Sequence, residues 1–149
     1  MVLLALDFDG VLRKWPRPIE IYANFLAPND LLVRAKLYHL RRLLCRLCFD
    51  YTPIILDGKM INGANNWDGE IVIVTGRSLR NISQANKVLE GKIRCKIYFR
   101  ENLEESEESY KYRVLKELKV DYFIDDRACI VNYLRKKGIN AIHVREIRK

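Results

Sequence analysis

Two carboxylates, one residue apart, follow the first apolar run of the sequence, where Val2–Leu6 leads into Asp7-Phe8-Asp9-Gly10. Residues i and i+2 of an extended chain point to the same side, so Asp7 and Asp9 can address one substrate from adjacent positions. One carboxylate of such a pair can attack an electrophile while the other gives a proton to the leaving group and later takes one from water. The run at 71–74 is followed by Thr75-Gly76-Arg77-Ser78, a hydroxyl and free backbone N–H groups at the start of a helix, suited to phosphate oxygens. The run at 120–124 is followed by Asp125-Asp126-Arg127. If these strands are neighbours, Asp7, Asp9, Asp125 and Asp126 converge, and a divalent cation lets most of them stay ionised. Oxygen ligands with no histidine nearby fit Mg²⁺ and argue against zinc. Acid nucleophile, metal, proton shuttle and anion cradle together describe phosphoryl transfer.

Such residues need a scaffold that gathers strand ends. Short runs rich in β-branched residues recur at 2–6, 71–74, 93–99, 120–124 and 141–144, and the later ones are separated by segments of helical periodicity. That alternation is the signature of βαβ units and a parallel sheet covered on both faces. Leu79–Leu89 carries Leu79, Ile82, Ala85 and Leu89 on one stripe with Ser78 placed to cap it. The stripe at 110–118 is Tyr110, Val114, Leu115 and Leu118, and 130–137 ends at Gly138, a helix C′ position. The expected fold is a single α/β domain over 1–149, a Rossmann-like three-layer α/β/α sandwich with a central parallel sheet.

The stretch 13–69 breaks this rhythm, because a simple crossover is far shorter. It reads as an insertion in which Asn29 or Asp30 caps an amphipathic helix with the stripe Val33, Leu37, Leu40, Leu44, Leu47 and Cys48. A shorter helix precedes it at 19–25. The part from 51 to 69, rich in Asn, Gly and Asp, reads as a loop with at most a short strand at 54–56. Trp15 and Trp67 flank the insertion.

The formal net charge is +8, with basic residues concentrated in 13–46 and 135–149. Such a field favours anionic partners, either phosphorylated small molecules or nucleic acid, although charge alone also fits a solvated surface. No apolar run has the length of a secretory signal or a membrane span, and a cytoplasmic protein is expected. Cys45 and Cys48 form a CxxC without a second pair at metal-ligand spacing, and with Cys95 and Cys129 they read as reduced, apolar filler.

Taken in order, these stretches resemble the haloacid dehalogenase-like superfamily of phosphohydrolases. "LDFDGVL" (6–12) is similar to its first motif, "IVIVTGR" (71–77) to its second and "YFIDDR" (122–127) to its fourth, and the resemblance covers the chain apart from the insertion. It implies that Asp7 is a nucleophile forming an aspartyl-phosphate and Asp9 the general acid/base. Mg²⁺ would be held by Asp7, the backbone carbonyl of Asp9 and Asp125, with Asp126 near the metal. Thr75 would bind the transferring phosphoryl group beside Gly76 and Arg77. The motif lysine is assigned to Lys111 in "YKYRVLKEL", with Lys92 and Lys96 as rivals and Lys116 and Lys119 expected in solvent.

An aspartate at the position of Asp9 marks the family's phosphatases and phosphomutases, and the 13–69 insertion would be a small, mostly helical cap. The expected activity is Mg²⁺-dependent hydrolysis of a phosphomonoester, the substrate being a small phosphorylated metabolite or nucleotide. The alternatives are a nucleic-acid-end (polynucleotide) phosphatase and a non-catalytic basic binding module. Arg77 is expected on the substrate side. Arg100 and Arg127 are open between a substrate phosphate and an ion pair with the active-site carboxylates or the acidic run 101–108. His39 and His143 are not expected to be catalytic.

Overall fold

The computed structural model describes residues 1–14, 54–77, 79–102 and 104–148. Along the chain these form β1 (Val2–Leu6), β2 (Arg13–Lys14), β3 (Ile55–Leu56), α1 (Gly58–Asn65), β4 (Gly69–Thr75), α2 (Leu79–Leu89), β5 (Lys96–Phe99), α3 (Glu107–Leu118), β6 (Tyr122–Asp125), α4 (Ala128–Lys136), β7 (Ala141–His143) and α5 (Val144–Ile147). By backbone proximity the chain divides into two compact units, Met1–Lys14 with Leu56–Lys149, and Trp15–Ile55. The expected helices at 19–25 and after Asn29, the Cys45/Cys48 pair, His39 and Trp15 lie outside the described residues, as does Ser78.

β1, β4, β5, β6 and β7 make a five-stranded sheet of order β5-β4-β1-β6-β7, parallel at every pairing, and β2 with β3 makes a separate two-stranded sheet. β1 is the centre, with Leu4 opposite Ile71 on one side and Tyr122 on the other. Strand side chains alternate between faces. Ala5, Val72, Val74, Phe123 and Ala141 pack on one face with Val114 and Leu115 of α3 and Ile130, Val131 and Leu134 of α4. The alternate residues Leu4, Leu6, Ile73 and Ile124 are buried as well. Each such aliphatic side chain contributes about 1.5–3 kcal/mol on burial, against about 1 kcal/mol net for a ladder hydrogen bond, so the packed faces rather than the ladder hold the sheet. This is the expected Rossmann-like α/β architecture, with helices flanking a parallel sheet. Among the described residues, no helix is long and apolar enough to cross a membrane.

The strands and the three later helices fall where the periodicity put them; 51–69 does not. In place of a loop, Gly58–Asn65 is an α-helix. Its residues are poor helix formers, with glycine at 58 and 63 and asparagine at 62 and 65. Two effects override that propensity, a local cap in which the Asp57 carboxylate accepts from the N–H groups of Lys59 and Met60, and the burial of Ile61 and Ala64. The short strand expected at 54–56 is present as β3. Trp67 is partly exposed, at 36%.

α3 begins at Ser106, whose hydroxyl accepts from Ser109 N–H, and carries Glu107 and Glu108 in its first turn, where the helix dipole favours anions. It ends at Lys119 in the left-handed conformation (φ 53°). This places Lys111 one turn inside the helix, over the carboxyl end of the sheet.

Candidate active site

Asp7 extends β1, its N–H donating to the carbonyl of Ile124 at 2.9 Å. By strand alternation Asp7 follows Ala5, and Asp125 follows Phe123, so both carboxylates leave the sheet on the face covered by α3. Lys111 reaches them there. Its Nζ lies 2.8 Å from Asp125 Oδ2, 3.2 Å from Asp7 Oδ2 and 2.9 Å from Glu107 Oε1, and the side chain is fully buried. Asp125 is oriented further by Arg127, whose N–H donates to Oδ1 at 2.8 Å. Burying an ammonium costs several kcal/mol and is tolerated only with close counter-charge. Burial works to neutralise Lys111, yet Asp125, Asp7 and Glu107 outweigh it and hold the ammonium well above its usual pKa. Glu107 also takes Arg127 Nη1 at 2.8 Å. Although burial opposes it, the Arg127 and Lys111 charges hold the Glu107 carboxyl far below its usual range.

Asp9 is turned away from this cluster. Arg77 forks onto it, Nε to Oδ2 at 2.6 Å and Nη2 to Oδ1 at 2.7 Å, and Arg13 Nη1 adds a third contact at 3.1 Å. Such two-pronged guanidinium–carboxylate pairs are among the stronger side-chain contacts. Arg13 is fully buried and Arg77 nearly so, with the Arg77 guanidinium 4.9 Å above the ring of Phe8. Phe8 is itself fully buried. Thr75 ends β4 beside β1, buried, its hydroxyl accepting from Arg77 N–H at 3.3 Å. Gly76 follows with the Glu107 carboxylate pressed so close that a Cβ there would overlap it. Gly10, at φ +77°, is likewise packed against the Asp126 carboxylate, leaving no room for a Cβ.

Asp7, Asp125 and Asp126 each offer a carboxylate oxygen, and these lie within 4.8 Å of one another. Among the described residues four carboxylates, Asp7, Asp125, Asp126 and Glu107, face two cations, Lys111 and Arg127, an excess of two negative charges in this cluster. The effect shows in the acids themselves. Burial, together with the Asp125 charge, pushes Asp126 up to about 8. Burial, aided by Asp125 and Glu107 and only partly opposed by Lys111, raises Asp7 well above the carboxylate range. An all-oxygen donor set short of two positive charges fits a hard divalent cation such as Mg²⁺.

The structure therefore brings Asp7, Asp125, Asp126 and Lys111 together, with Thr75 and Gly76 at the neighbouring strand end. Lys92, Lys96, Lys116 and Lys119 are exposed. It places the Arg77 guanidinium on Asp9, where the sequence suggested a substrate-side position. Arg127 meets the acidic run through Glu107, and Arg100 donates to the Glu105 carbonyl at 3.2 Å. His143 caps α5, its Nδ1 accepting from Arg145 N–H. Cys95 and Cys129 are free thiols, both partly buried. Two charged residues of the site went unread in the sequence. Glu107 was hidden in an acidic run, although its place four residues before Lys111 on one helix face was a usable signal. Arg13 was counted with the surface charge, although it too stands four residues from its partner, Asp9.

No protein-family model and no curated protein matches the sequence. Among solved structures, a chain of the Pnkp1/Rnl/Hen1 RNA repair complex superposes over 95% of this chain with a TM-score of 0.60 at 14% identity. This chain spans 41% of the length of that one. A Thermotoga maritima protein assigned as a beta-phosphoglucomutase superposes with a TM-score of 0.55 at 13% identity, covering 95% of this chain and 84% of the other. With the parallel sheet, the acidic cluster at its carboxyl edge and these two likenesses, the fold is haloacid dehalogenase-like.

Proposed function

We propose that the protein is a phosphoric monoester phosphatase that passes the phosphoryl group through Asp7. The observation that carries this reading is the state of the Asp7 carboxylate. Oδ2 faces Lys111 at 3.2 Å, whereas Oδ1 is buried with no hydrogen-bond partner among the described residues. A carboxylate oxygen withdrawn from water, aligned by its sister oxygen and set at the carboxyl end of the central strand, is poised as a nucleophile.

In the first half-reaction Asp7 Oδ1 bonds to phosphorus as the bond from phosphorus to the ester oxygen breaks, and that oxygen leaves with a proton from Asp9. In the second, Asp9 takes a proton from water, whose oxygen displaces Asp7 from phosphorus and releases inorganic phosphate. Asp9 can serve only after it exchanges the Arg77 fork and the Arg13 contact for the leaving group. The Lys111 ammonium, the Thr75 hydroxyl and the Gly76 N–H face the non-reacting phosphoryl oxygens. Asp7, the Asp9 carbonyl and Asp125, with Asp126 nearby, would hold Mg²⁺, which would supply positive charge between nucleophile and phosphate.

The substrate is a small phosphorylated metabolite or nucleotide, and 13–69 serves as its cap. A second reading, a phosphatase of nucleic-acid ends, draws on the net charge of +8 and on the fold likeness to a chain of an RNA repair complex. Purified protein with Mg²⁺ is expected to hydrolyse p-nitrophenyl phosphate, and Asp7→Asn to abolish turnover with an unchanged circular dichroism spectrum. No turnover with any divalent metal overturns the enzyme reading. A phosphomonoester panel that includes 3′- and 5′-phosphorylated oligonucleotides separates the two substrates. Preference for the oligonucleotides, weakening steeply with salt, selects the second.

A further inference from the structure

The loop that carries Asp9 and Gly10 is tied down from far along the chain. Within itself it is a tight turn, with Leu12 and Arg13 N–H both donating to the Phe8 carbonyl and Gly10 N–H to the Arg13 carbonyl. The carbonyls of Gly10 and Val11 point outward from it, and among the described residues no backbone N–H reaches them. Buried backbone carbonyls in that position need a donor. Arg148, which follows α5, supplies it, with Nη2 3.1 Å from Gly10 O, 3.1 Å from Val11 O and 3.0 Å from Asp57 Oδ2. Asp57 is itself bound on every side, its N–H donating to the Leu12 carbonyl at 2.7 Å and its Oδ1 capping α1. One guanidinium therefore closes a ring of contacts joining the catalytic loop, the return of the chain into α1 and the last helix of the sheet domain.

The ring matters to the site through Gly10. Its backbone touches the Asp126 carboxylate, and its other neighbour in sequence is Asp9. A shift of the Gly10–Val11 backbone moves the Asp9 carbonyl and the space allotted to Asp126 together. We propose that Arg148 is a positioning residue of the active site, holding the Gly10 and Val11 carbonyls against Asp57 so that Asp9 and Asp126 keep their places. All three contacts fall on one nitrogen, whose two N–H groups the three acceptors share; the planar guanidinium holds that nitrogen in a fixed geometry, whereas a lysine ammonium rotates on a flexible stem. Arg148 itself is partly exposed and touches none of the reacting groups. The kinetic part of the inference rests on the phosphatase reading; the structural part does not.

The test compares wild type, Arg148→Ala and Arg148→Lys by hydrogen exchange, p-nitrophenyl phosphate kinetics and calorimetric Mg²⁺ titration. In Arg148→Ala the amides of Leu12, Arg13 and Asp57 are expected to exchange faster while those of β4, β6 and α3 hold. kcat should fall by about 10-fold or more, since displacements near 1 Å in a reacting constellation can cost about 100-fold, with KM little changed. Arg148→Lys should recover only part of kcat. Unchanged exchange at the three amides overturns the inference, and so does faster exchange with wild-type kcat, which would make the ring purely structural. If wild type hydrolyses no ester, the phosphatase reading fails by itself and the titration decides. Weaker Mg²⁺ binding by Arg148→Ala supports the positioning role, and equal binding overturns it.

Discussion

Lys111 is the residue on which the largest number of buried charges depends. Its ammonium stands between Asp7, Asp125 and Glu107 with no exposure to solvent, and no other lysine of the described residues approaches them. Lys111→Met keeps the bulk of the side chain and removes the charge, which leaves three carboxylates short of a partner. Breaking a buried pair from one side typically costs about 3–5 kcal/mol, and a loss of that order is expected in urea unfolding with chelator present, together with loss of turnover. A variant as stable as wild type would mean that the acids already stand protonated and need no counter-ion. Most of this residue-scale picture was legible. Asp7, Thr75, Asp125 and Asp126 sit directly after apolar runs, and chemistry at strand ends is a general property of parallel sheets. What stayed hidden was pairing. Glu107 and Arg13 are of types that usually lie in water, and the spacing of four to Lys111 and Asp9 does not by itself tell a pair at the site from one on the surface. The fork of Arg77 on Asp9 spans 68 positions and leaves no local trace.

At the scale of elements the same division holds. Strands β1, β4 and β6 were readable because each rests on a short apolar run that ends in polar residues, and α2, α3 and α4 because their apolar stripes have helical period. α1 was not readable, because its stability comes from a cap and a buried face rather than from its composition. Asp57→Ala removes the cap, worth about 1 kcal/mol, and also the carboxylate that Arg148 holds. Loss of ordered structure is expected to be concentrated in Gly58–Asn65, seen as faster amide exchange there with the sheet still protected. If instead the whole domain loosens evenly, α1 is a structural part of the core and the cap is incidental. Because Asp57 and Arg148 touch, the double variant should be less damaging than the sum of the singles, by about 0.5–3 kcal/mol of coupling.

For the whole molecule, the site and the surface carry opposite charge. The chain has a net +8, yet around Lys111 four carboxylates, Asp7, Glu107, Asp125 and Asp126, face two cations, Lys111 and Arg127, among the described residues. Folding without a divalent ion forces that imbalance together, so Mg²⁺ should stabilise the folded state: about 2.7 kcal/mol at a hundredfold excess over Kd, read as a rise in Tm that chelator reverses. Asp125→Asn should blunt the rise, and a Tm indifferent to divalent ions would rule out the metal site. The position of β1 carries a further consequence, for the order in which the chain assembles. β6 and β7 pair across a single helix, Phe123 opposite Ala141, whereas β1 must find Gly69 opposite Val2 and Tyr122 opposite Leu4. Closing long loops slows pairing, so the segment from β6 to β7 is expected to form early and β1 to dock late. Phe123→Ala should then slow refolding, while a substitution at Leu4 should mainly speed unfolding. On this order the strand that leads into Asp7 is the keystone of the sheet, and the mutually repelling acids meet only when the rest of the arch already stands to hold them.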